Sequence, residues 1–196
     1  MRILHYTLGF SPYRSGGLAR YAHDLMVAEI ELGNEVTALF PGNARLLHRK
    51  TQIRRETNID KIVVYELRNS LPVPLLYGLS QSGCMIDDSV LDETDVNRFL
   101  DIVQPEVFHI HTLMGLPRKL IKIIKERGVK VVYTTHDYFG LCPKVNFIND
   151  AGDLCNEASP QRCERCNKNA RSVVFLRFRN SKWIVPMKDV LRKYFK

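Results

Sequence analysis

The chain opens on an apolar run, Arg2–Leu8 (RILHYTL), with the character of a β-strand, and continues into a loop, Gly9–Gly16, that carries Pro12 and Ser15. From Gly17 the apolar period lengthens. Leu18, Tyr21, Ala22, Leu25, Met26, Ala28 and Leu32 fall on one helical stripe, Glu29 stands among them, and Gly33 ends it. Glu35–Phe40 reads as the next strand, closed by Pro41 and Gly42. A strand–helix–strand unit of this kind implies parallel strands joined by a right-handed crossover.

The unit recurs loosely. Lys61–Leu67 is a strand, and residues 68–90, with Pro72, Pro74, Gly78 and Gly83, form a long irregular loop placed to flank a ligand cleft. Asp92–Val103 is a helix whose acidic first turn suits its dipole. Val107–His111 is a strand, Leu116–Arg127 a helix stopped by Gly128, and Lys130–Thr135 (KVVYTT) a central strand covered on both faces. Trp183–Val185 supplies one more strand. Met187, Val190, Leu191, Tyr194 and Phe195 then give a closing helix an apolar stripe, to pack on this sheet or on a further domain. The expected fold is α/β: a doubly wound, mostly parallel Rossmann-like sheet. Ligands of such sheets bind outside the carboxyl ends of the strands, near the reversal of strand order. That rule selects three loops, residues 9–17, 111–115 and 136–142.

Composition refines this picture at two points. Hydrophobic residues make up 45% and charged residues 26% of the 196, as in an ordinary globular protein, and no apolar run is long enough to span a bilayer. The first residues lack a small-residue cleavage site, so they read as a strand rather than a signal peptide, and the expected location is cytoplasmic. A net charge of +8 admits nucleic acid, an anionic membrane surface or a phosphate-bearing ligand as partner. The basic residues are dispersed, with one denser patch at Arg45, His48, Arg49, Lys50, Arg54 and Arg55, and that dispersal disfavours nucleic acid. Cysteine is concentrated instead: Cys142, Cys155, Cys163 and Cys166 lie in one inserted segment, 140–170, with Cys84 apart. A C-x2-C pair beside two further thiols has the donor set of a closed, structural tetrahedral zinc site; two disulfides, an iron–sulfur cluster or free thiols are the alternatives.

The chemistry-bearing residues fall in the three selected loops. Gly16 and Gly17 open the first helix, where small residues admit a ligand and unpaired N–H groups favour an anion, although a plain tight turn has the same composition. His109 and His111 share one strand face, His109 deeper and His111 emerging at the carboxyl end. Thr134-Thr135-His136-Asp137-Tyr138 leaves the next strand, with a histidine able to bond a sugar hydroxyl or move a proton. Neighbours in an extended chain point opposite ways, so Asp137 need not touch His136.

Together, MRILHYTLGFSPYRSGGLARYAHDL, PEVFHIHTLMG and KVVYTTHDYFGLCP, in this order and spacing, resemble the amino-terminal half of family-4 glycosyltransferases of the GT-B fold, over Met1 to about Phe178. The resemblance implies a retaining enzyme that moves a sugar from a nucleotide-sugar to a glycan, lipid or small-molecule acceptor without a catalytic metal. It also implies peripheral contact with the inner membrane face, to which Arg118, Lys119, Lys122 and Lys125 would contribute. It assigns Gly16 and Gly17 to the donor's phosphate and sugar, His136 to the donor sugar as the catalytic histidine, and His111, Asp137 and Tyr138 to substrate binding. The family's second domain carries two glutamates separated by seven residues, and no pair of glutamates in this chain has that spacing. The 196 residues are therefore expected to form one acceptor-side domain that needs a carboxy-terminal GT-B partner domain and transfers nothing alone. A zinc-containing Rossmann-like binding module, or a non-catalytic partner of a separate donor domain, is the rival expectation.

Overall fold

The structure, a computed structural model, describes residues 1–44, 50–79 and 88–179. Its strands are β1 (Arg2–Tyr6), β2 (Glu35–Pro41), β3 (Gln52–Arg55), β4 (Val63–Arg68), β5 (Val107–Ile110) and β6 (Lys130–Tyr133), in one sheet of order β3-β4-β2-β1-β5-β6. Every pair is parallel except β3 with β4. From β1 the chain steps outward to β2 and β4, then crosses back to β5 and β6 on the other side. The order therefore reverses between β1 and β5, and their carboxyl ends flank the crevice where such sheets take ligands.

Strand alternation divides the core into two layers. Leu4 and Tyr6 of β1 and Phe108 and Ile110 of β5 join Val96, Phe99 and Leu100 of helix α2 (Glu93–Val103) and Leu120, Ile123 and Ile124 of helix α3 (Arg118–Glu126). On the opposite face, Ala22 and Met26 of helix α1 (Gly17–Glu31) meet Val36 and Ala38 of β2 and Val64 of β4. Each large side chain buried in this way contributes about 1.5–3 kcal/mol. The α/β arrangement, a mostly parallel sheet flanked by helices, is compatible with a Rossmann-like fold. A third small cluster, Val73, Met114 and Val145, lies where residues 71–79 and the segment after β6 meet the 111–115 loop.

Local signals account for the boundaries. The Asp92 carboxylate accepts from the N–H groups of Thr94 and Asp95 and starts α2. Gly115, at φ +76°, lies so close to Pro41 that an added Cβ would sit 2.7 Å from that ring. After β6, an isolated bridge pairs Ile148 with Leu154, and the Asn149 side-chain oxygen accepts from Ala151 N–H and Asp153 N–H at 2.9 Å each. Helix α4 (Pro160–Cys166) follows, capped by the Ser159 hydroxyl, and then helix α5 (Val173–Arg179).

Three features differ from the sequence expectation. β3 was not foreseen: it is a four-residue antiparallel strand at the sheet's end, with Ile53 its one buried side chain. The segment KVVY, expected as a central strand, is the last strand of the sheet among the described residues, with Val131 and Val132 half-buried and Tyr133 exposed. Helix α4 stands in the cysteine-rich segment, 140–170, expected as a loop. The strand expected at Trp183–Val185, the helix expected at Met187–Phe195, Cys84, and Arg45, His48 and Arg49 of the basic patch lie outside the described residues. Among the described residues no helix is long and apolar enough to cross a membrane.

Candidate functional site at the carboxyl ends of β1, β5 and β6

β1 and β5 run side by side with His5 opposite His109. Side chains paired across parallel strands share a face, and His111 lies two residues beyond His109, so all three histidines look toward α1. Over β2 and β4 that face carries Val36, Ala38 and Val64, and toward the carboxyl ends of β1 and β5 it turns polar. Helix α1 answers with Glu29, whose Oε2 lies 2.6 Å from Nε2 of His5, a histidine with no exposure at all. In a neutral His5 the carboxylate places the proton on Nε2 and leaves Nδ1 to accept the Nε2–H of His111, 3.0 Å away. The His5 and His111 rings lie within 7° of parallel. His109, half-buried, pairs its Nε2 with the Thr134 hydroxyl at 2.8 Å.

His136, from the loop after β6, extends the line outward. Its ring centroid is 5.7 Å from that of His111, and Tyr21 of α1 sets its edge against both, 4.9 Å from His136 and 6.0 Å from His111. Three buried polar atoms have no hydrogen-bond partner here: Thr7 Oγ1, His111 Nδ1 and His136 Nε2. Thr7 continues the β1 face of His5, and extending the strand register by one step sets it opposite His111. Unpartnered buried polar groups each cost about 1–3 kcal/mol and are uncommon in folded proteins. All three lie on one face at the carboxyl ends of the strands.

Burial favours the neutral form of His109, His111 and His136. It pushes His111 down to about 3, helped by the neighbouring His109, His5 and His136. Burial also lowers His109, with His5 adding to the effect and Glu29 opposing it. His136 is lowered by burial against the upward pull of Asp137. Each of the three rings thus offers one N–H donor and one lone pair at neutral pH.

The start of α1 lies beside this cluster, since Tyr21 is in its second turn. Gly16 holds φ +127°, a conformation L-residues rarely adopt, and space is open around the Cβ position of both Gly16 and Gly17. No side chain caps the helix and its first turn holds no acidic residue, so its N–H groups face that space. The structure thus brings Gly16, Gly17, His111 and His136 to one end of the sheet. Asp137 and Tyr138 serve the loop itself. The Asp137 carboxylate accepts from Phe139 N–H at 2.9 Å, and the exposed Tyr138 ring packs on Phe147 at 4.7 Å.

The four cysteines are half-buried and form no disulfide with one another. Cys163 and Cys166 share one turn of α4, the Cys155 thiol reaches the Glu157 carbonyl, and the Cys166 thiol lies 4.0 Å from the Ile148 carbonyl. Among the described residues, the group of three or more His, Cys, Asp or Glu whose donor atoms all lie within 4.8 Å of one another is His5, His109 and His111. These three histidines could hold a metal ion.

Sequence reasoning overlooked His5, Glu29, Tyr21 and Thr7 as site residues. Two signals were available: a histidine inside an apolar strand, and a glutamate on the apolar stripe of α1. Among known proteins, no family model matches the chain and no curated protein matches its sequence.

Proposed function

We propose that this chain is the acceptor-side domain of a retaining GT-B glycosyltransferase, acting with a donor-binding domain on a nucleotide-sugar and a glycan, lipid or small-molecule acceptor. One observation carries the reading: the Gly16–Gly17 start of α1, His111 and His136 gather at the carboxyl ends of β1, β5 and β6, beside the strand-order reversal. The open helix N-terminus suits a diphosphate or the sugar next to it. His136, neutral and with Nε2 unpartnered, suits a sugar hydroxyl, which both donates and accepts. It is the catalytic histidine of this proposal in the sense of contact: it orients the transferred sugar and the acceptor. His111, deeper and buried, lines the acceptor side. Tyr138, exposed beside His136, offers an aromatic face to an acceptor ring. The cysteine segment, 140–170, is proposed as a structural element of the same domain, with zinc as its ligand if the thiols draw together.

The basic face of α3 fits peripheral membrane contact only in part. Lys119 pairs with Glu93 at 2.6 Å and Lys122 with Glu126 at 3.7 Å, which lowers its net positive charge.

The test is equilibrium binding of nucleotide-sugars and simple glycosides to the purified chain, with transfer assayed in parallel. The expected result is weak binding, reduced about tenfold or more by His136→Ala, the scale of one lost hydrogen bond to a ligand, and no transfer. Turnover by the chain alone, or binding unchanged in His136→Ala, contradicts the proposal.

A further inference from the structure

The histidines at and behind the proposed sugar site form a donor set of which sugar binding uses only His111. His5 is backed by the Glu29 carboxylate at 2.6 Å, and His109 by the Thr134 hydroxyl at 2.8 Å. A ligating histidine is held in this way: a carboxylate fixes the proton on one ring nitrogen and leaves the other nitrogen's lone pair for a cation, the Thr134 hydroxyl orients the His109 ring, and His111 ligates through Nε2 with its proton on Nδ1. One nitrogen of each of His5, His109 and His111 lies within 4.8 Å of the others, and His5 Nδ1 stands 3.0 Å from His111 Nε2. Two nitrogens on one tetrahedral zinc, at about 2.0–2.1 Å from the ion, are about 3.3 Å apart. Side-chain shifts on the order of an ångström would therefore close the set.

The geometry points to a binding site for one divalent late first-row transition-metal ion, zinc being the natural fit, held by His5, His109 and His111, with Glu29 and Thr134 positioning the first two. Three imidazoles leave a fourth coordination position. His136 and Tyr21 stand beside His111 on the outer side, so this position opens toward the proposed sugar site. The ligand field differs in kind from that of the four cysteines. Imidazole nitrogen is a borderline donor that suits zinc, copper, nickel and cobalt, whereas thiolate sulfur is soft. The site shares His111 with the proposed sugar site, while its other two ligands, His5 and His109, have no part in the glycosyltransferase reading.

Cobalt(II) titration of the complete 196-residue chain, with zinc(II) as competitor, separates the two donor sets by spectrum. The expected result is one cobalt per chain showing visible ligand-field bands without a thiolate-to-cobalt charge-transfer band, displaced by zinc. His109→Ala, at a half-buried position that tolerates truncation, should abolish these bands while circular dichroism remains native. Glu29→Gln should weaken binding about 10–100-fold, the usual loss when a partner behind a ligand is removed. Three results overturn the inference: no cobalt uptake, uptake unchanged in His109→Ala, or a spectrum dominated by thiolate charge transfer that disappears in a Cys163→Ser, Cys166→Ser double variant.

Discussion

Glu66 shows how single residues hold the crossover end of the sheet together. Its Oε1 accepts from the backbone and side-chain N–H groups of Asn43 at 2.6 Å each, and its Oε2 from Arg68 Nε at 2.6 Å. Arg68 also reaches Glu56 at 3.1 Å. Gly42 is required alongside, because a Cβ there would sit 1.9 Å from the Glu66 side chain. Burial pulls the Glu66 carboxyl upward, but the Asn43 N–H and the Arg68 guanidinium outweigh it and hold it below its ordinary value near 4.5. A carboxyl depressed on folding contributes stability that is present above its unfolded value and is lost as pH falls through its folded one. Glu66→Gln should therefore destabilise the chain by about 3 kcal/mol at pH 7, the range for breaking a buried pair, measured by chemical denaturation. The gap from wild type should narrow as pH drops below about 4.5. A gap constant from pH 7 to pH 3 would count against this account.

At the scale of elements, legibility followed periodicity. α1, α2 and α3 announced themselves because each buries a stripe at helical spacing, and β1, β2 and β5 because short apolar runs alternate with them. β3 did not, since Gln52, Arg54 and Arg55 surround one buried side chain, and its pairing to β4 is tertiary. The place of β6 in the sheet was not legible for a related reason: an apolar run such as KVVY looks the same at a sheet's centre and at its margin. α4 was legible in principle from Ser159-Pro160, a cap followed by proline at the first helical turn, but the cysteines drew attention to ligand spacing instead. The start of α1 offers the sharpest test at this scale. Gly16→Ala should lose about 1–3 kcal/mol because φ +127° strains any L-residue. Gly17→Ala, in open space with no such φ, should leave the denaturation midpoint nearly unchanged and weaken nucleotide-sugar binding. If both variants behave alike in stability, the loop does not have the backbone described.

For the whole molecule, topology decides where chemistry collects. The order reverses between β1 and β5, so residues distant in sequence, from Thr7 to His136, share one polar region at one end of the sheet. His111 and His136 were legible because each leaves a strand at its carboxyl end. The inner ring of the cluster was not, because it depends on the pairing of His5 with His109 and on the placement of α1 over them. That pairing is a property of the fold rather than of any one segment. The central claim is that this end of the sheet is a ligand site, and backbone amide chemical-shift mapping of the isotope-labelled chain during nucleotide-sugar titration tests it most directly. The account predicts saturable shifts concentrated in residues 15–21, 111–115 and 136–138. Shifts confined to the α3 face around Arg118–Lys125, or none at saturating ligand, would contradict it.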